Sequence, residues 1–159
     1  MSHIENFHLL LGDVVWPSLV LEGRLLSVIP ISTGLVVEWF ALAFGGFGLS
    51  WKKAIFVDLI MNAASSVIGI VLIPFAGLGW ELSGGLLLEK VFNVGTFNPI
   101  AWIATFALSV AATTAIEAVV VRWAFRIPLG QRRFWILFGA NTASVGIAYA
   151  SLWLHPPQY

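Results

Sequence analysis

EWFALAFGGFGLSWKKAIFVDLIMN (Glu38–Asn62) and EAVVVRWAFRIPLGQRRFWILFGAN (Glu117–Asn141) have one design: an apolar run opened by a glutamate, a glycine-containing turn with adjacent basic residues, and an apolar run reaching an asparagine. Each reads as two antiparallel helices around a basic turn. Extended outward, they belong to four apolar stretches, Val28–Phe47, Ala54–Gly77, Pro99–Phe125 and Phe134–Leu154. A hydrocarbon core about 30 Å thick needs roughly 20 apolar residues per helix, so each stretch is long enough to cross. The expected fold is therefore an all-α integral membrane protein, with four transmembrane helices arranged as two parallel-repeat hairpins.

Composition points the same way. Of 159 residues, 59% are hydrophobic and only 10% charged, against about a quarter charged in soluble domains. Eight basic residues balance eight acidic ones, leaving no excess cation for a nucleic-acid backbone. Cysteine is absent, which excludes disulfides, thiolate metal sites and cysteine nucleophiles.

Lys52, Lys53, Arg122, Arg126, Arg132 and Arg133 flank the two turns, leaving only Arg24 and Lys90 elsewhere. The positive-inside rule then puts both turns in the cytoplasm and both termini outside a plasma (inner) membrane. Trp51, Trp123 and Trp135 fall near the inner boundary, Trp16, Trp80, Trp102 and Trp153 near the outer one, and Trp39 in mid-span. Residues 1–27 lack a basic n-region and are interrupted by Asp13, Pro17, Glu22 and Arg24, so they read as an outer-surface amphipathic segment rather than a signal peptide. The divisions that follow are hairpin 1 over 28–77, an outer loop of interfacial character over 78–98, hairpin 2 over 99–154 and an outer tail over 155–159. Asn98 followed by Pro99 is the best helix start, a capping side chain before a first-turn proline.

The intramembrane polar residues carry the functional reading. The glutamates inside the spans are Glu38 and Glu117 and the asparagines Asn62 and Asn141; both Glu-to-Asn intervals are 24 residues. A shift of 79 residues superposes these pairs and also places Ser65 on Ser144 and Lys53 on Arg132. Because each interval is centred on its turn, the glutamate and asparagine of a hairpin meet at equal depth. A neutral carboxyl would donate to the amide oxygen while accepting from its NH₂. The six residues Glu38, Asn62, Ser65, Glu117, Asn141 and Ser144 thus form either a polar clamp or an ion path. Asp58 and Arg122 break the repeat, facing Leu137 and Ala43 in the alignment; either they pair between hairpins near the cytoplasmic edge, or each snorkels separately to the interface.

Enzymatic chemistry finds little support. His3, His8 and His155 lie near the ends of the chain and off helical metal-ligand spacing. The paired glycines Gly45–Gly46 and Gly84–Gly85 lack the Lys-Ser/Thr of a nucleotide loop. No serine shares its depth with a histidine, and no histidine sits in a span to ligate haem. The expectation is a non-catalytic subunit without cofactor, embedded in the bilayer and associated with other membrane subunits or with itself. The alternative is a small proton, cation or solute transporter or channel using Glu38 and Glu117 with Asn62 and Asn141. Polar groups consumed within each hairpin favour the first; polar groups facing a common axis favour the second.

Overall fold

The computed structural model describes residues 20–21, 23–93, 95 and 98–154; His3, His8, His155 and most of the expected amphipathic segment lie outside these. All regular structure among the described residues is helical. The principal helices are α1 (Val28–Phe44), α2 (Trp51–Trp80), α3 (Leu86–Phe92), α4 (Pro99–Val119) and α5 (Gln131–Leu154). Wider π turns at Glu81–Gly85 and Val120–Ala124 join α2 to α3 and extend α4.

Three helical runs are long and apolar enough to cross a membrane: Trp51–Phe92, Pro99–Ala124 and Gln131–Leu152. The first apolar stretch differs from expectation. Its helix is only 17 residues long, because Gly46 and Gly48 adopt left-handed backbone (φ 82° and 72°), a conformation that glycine takes without steric penalty. The 78–98 segment also differs, continuing α2 as helix as far as Phe92. Its leucines favour helix, and the Gly84–Gly85 pair is absorbed in the π turn. Asn93, at φ 51°, supplies the left-handed stop.

Local signals fix the other starts. Asn98 accepts the Ala101 amide at 2.9 Å with Pro99 behind it, as the sequence requires. Ser50 accepts the Lys53 amide at 3.4 Å and opens α2.

Packing is crosswise. α1 lies chiefly along α5 and α2 along α4, while the sequence neighbours α1 and α2, and α4 and α5, also touch. Leu42, Phe47, Val57, Met61, Val121 and Leu137 form an apolar cluster toward the turns. Leu21, Val110, Val145, Ala148 and Leu152 form another toward the opposite end. Leu21 is fully buried, so this part of the amino-terminal segment packs on the bundle. The outward faces stay apolar, with Phe40, Phe56, Val67, Phe75 and Ile103 exposed. Such a surface is unfavourable in water and suits contact with lipid chains.

Arg133 ties the two turns together. Its Nε donates to the Gly46 carbonyl at 3.0 Å and a terminal nitrogen donates to Pro128 at 2.7 Å, while its guanidinium lies 5.9 Å from the centre of the Phe47 ring. Trp39 lies nearer the turns than its mid-span reading implies, its indole donating to the Trp51 carbonyl at 3.3 Å.

Candidate functional site

Between the two apolar clusters lies a polar layer assembled by four helices. α1 brings Glu38; α2 brings Asp58, Asn62 and Ser65 from one face, their spacings of four and three residues aligning them. α4 brings Glu117, and α5 brings Asn141 and Ser144. Glu38, Asp58, Ser65, Glu117 and Asn141 are buried, while Asn62 and Ser144 are half-buried.

The expected Glu–Asn contacts form in both halves. Asn62 Nδ2 donates to Glu38 Oε2 at 2.6 Å, and Asn141 Nδ2 donates to Glu117 Oε2 at 2.5 Å. Each amide nitrogen also donates to the carbonyl four residues earlier, Asp58 at 3.1 Å and Leu137 at 3.2 Å. That backbone bond aims NH₂ at the preceding turn, so the reciprocal two-bond arrangement is not made. Among the described residues no hydrogen bond reaches either amide oxygen.

The serines cross between halves. Ser65 Oγ donates to Glu117 Oε1 at 3.3 Å, and the Ser144 hydroxyl sits beside the Glu38 carboxyl. Glu117 therefore takes an amide from its own hairpin and a hydroxyl from the other, while Glu38 takes the Asn62 amide with Ser144 nearby from the other half. Gly34 makes the second crossing possible, since a β-carbon there would collide with Ser144 Oγ.

Glu38, Asn62, Ser65, Glu117, Asn141 and Ser144 line one cavity of about 270 Å³, together with Thr113 and Gly69. At roughly 30 Å³ per molecule this is room for several waters. From the polar layer the cavity runs toward Leu25, Leu26, Pro30 and Ile31 at the start of α1. Among the described residues no lysine, arginine or histidine lines it.

No family model, curated protein or solved structure matches this chain. The chemistry must therefore be argued from the residues themselves. Carboxyl, carboxamide and hydroxyl oxygens make a hard, oxygen-only set, suited to protons and small cations rather than to soft metals. Among the described residues no group of three His, Cys, Asp or Glu side chains is close enough to hold a metal ion.

The Asp58–Arg122 pair does not form. Asp58 Oδ1 accepts from Asn62 Nδ2 at 3.2 Å, which joins it to the Glu38 side of the polar layer. Arg122 lies in the π turn, where Phe125 N–H reaches back to the Val120 carbonyl at 3.3 Å. Buried Val121 continues the inward face of Thr114 and Glu117, so Arg122 beside it is exposed on the outside of the bundle. Asp58 is thus the site residue that sequence reasoning misassigned. Its position one turn before Asn62 was the available signal. On its other side Asp58 lines a shallow apolar recess of about 360 Å³ with Trp39, Trp51 and Ile55. Thr113, one turn before Glu117 and lining the cavity, carried the same kind of signal.

Proposed function

We propose that this protein is a non-catalytic carrier or channel for protons or a small monovalent cation, with Glu38 and Glu117 as the exchanging groups. The observation that supports it is the shared cavity: both carboxyls, both carboxamides and both serines meet there, and among the described residues no cationic side chain lines it to neutralise the glutamates. A clamp internal to each hairpin would need only the Glu–Asn bonds. The crossing serines and the open volume are what a path requires.

The reading includes four spans, with the 17-residue α1 at the short end of what a bilayer accepts. It also includes two hairpins repeated about an axis along the membrane normal, a relation supported by the exchanged serines at a 79-residue offset. The protein would sit in the plasma (inner) membrane, with both basic turns cytoplasmic and both termini outside.

Proteoliposome flux tests the proposal. Under an imposed pH gradient, or a sodium or potassium gradient, the wild type should dissipate one of them, which identifies the carried ion. Glu38→Gln and Glu117→Gln should each reduce the flux strongly, and the double variant should abolish it while retaining helicity. Undiminished flux in the double variant, or no flux in the wild type, would overturn the reading.

A second reading, a structural or assembly subunit of a larger membrane complex, is favoured by one observation. The 42-residue helical run to Phe92 is about 63 Å long at 1.5 Å per residue, roughly twice the hydrocarbon thickness. Its far end carries exposed Leu82, Leu87, Val91 and Phe92. Recovery of another protein in fixed stoichiometry from mild detergent would support this role; a lone chain would count against it.

A further inference from the structure

At the basic end of the bundle, the π turn of α4 and the first turn of α5 enclose a recess of about 350 Å³, lined by Arg122 and Gln131 among Ala118, Val119, Trp123 and Phe134. We infer that this recess binds the headgroup of an anionic phospholipid, with Arg122 taking the phosphate and Val119, Trp123 and Phe134 bordering the acyl chains.

Three features carry the assignment. Arg122 makes no hydrogen bond or ion pair among the described residues, whereas its neighbour Arg133 is committed to the Gly46 and Pro128 carbonyls. Among the described residues no acidic side chain lines the recess and the guanidinium, with its planar fork of donors, has no partner; phosphate fits that fork. The walls are apolar and outward-facing, with Val119 57% and Trp123 76% exposed, so the occupant must join an anion to hydrocarbon. A phospholipid does so, and a soluble phosphate does not.

The recess belongs to one half of the chain. Ala43 stands at the position corresponding to Arg122, and α1 ends without a π turn. The inference is independent of ion transport and would hold if the flux experiment failed.

Native mass spectrometry of the detergent-purified full chain, given phosphatidylglycerol and phosphatidylcholine at equal concentration, tests it. The wild type should retain phosphatidylglycerol preferentially. One basic contact near a membrane surface contributes about 1 kcal/mol, so Arg122→Gln should lower that preference about fivefold. Arg122→Lys, which keeps the charge without the fork, should fall between them, and Arg132→Gln, outside the recess, should change it less than Arg122→Gln. Equal retention of the two lipids by the wild type, or an undiminished preference in Arg122→Gln, would overturn the assignment. Displacement of the lipid by inorganic phosphate would also overturn it, by showing a site for a soluble anion.

Discussion

Replacing Asn141 by leucine removes the one amide among the described residues that reaches the buried Glu117 carboxyl, leaving it the longer bond from Ser65 at 3.3 Å. Leucine fills a similar volume, so the loss is mainly polar. A buried group stripped of its partner costs about 1–3 kcal/mol, whereas interhelical hydrogen bonds in membranes average about 0.6 and reach about 1.7 kcal/mol. Both partners of the Asn141–Glu117 bond are almost fully buried, which puts it at the upper end, so Asn141→Leu should destabilise by about 2 kcal/mol. Glu117→Leu strands the amide in turn and should cost a similar amount. The double variant removes both partners, so its cost should fall short of the sum by about 1–1.5 kcal/mol. The same cycle on Ser65 and Glu117, at 3.3 Å, should give a smaller coupling. Reversible unfolding in mixed micelles, followed by tryptophan fluorescence, measures all of these. Additivity of the Asn141 and Glu117 changes to within about 0.3–0.5 kcal/mol would refute the reasoning.

Two further outcomes follow from the packing. Arg133→Ala removes both carbonyl contacts and the Phe47 ring contact that join the turns; it should destabilise by about 2–3 kcal/mol, with Arg133→Lys recovering only part, read by the same unfolding assay. Gly34→Ala places a methyl against the Ser144 hydroxyl and should cost about 1–2 kcal/mol. Adding Ser144→Ala should recover much of that loss, and a failure to do so would mean that α1 and α5 do not approach closely there.

Much of the fold was legible because lipid imposes simple rules. A helix must satisfy its own backbone, so apolar length located the helices, and the Asn98–Pro99 start needed only local geometry. The Glu–Asn contacts were legible too, since equal spacing about a turn sets equal depth. What failed was what depends on register beyond that turn. Arg122 stands beside the buried Val121 and is exposed, away from Asp58, and an apolar run does not announce which of its faces turns inward. The helical course of residues 78–92 was hidden by the same ambiguity, because leucine-rich segments suit both an interfacial loop and a helix.

The sequence by itself determined a helical chain with runs apolar enough to cross a membrane and with glutamates and asparagines paired across its turns, because apolar length and equal spacing about a turn need no tertiary information. Only the tertiary structure decided that the pairs converge. Packing α1 on α5 and α2 on α4 sends Ser65 and Ser144 across the bundle and opens one cavity onto both carboxyls. Which faces of four apolar helices meet is set by close packing around small residues such as Gly34, and a pattern apolar on every side does not encode it.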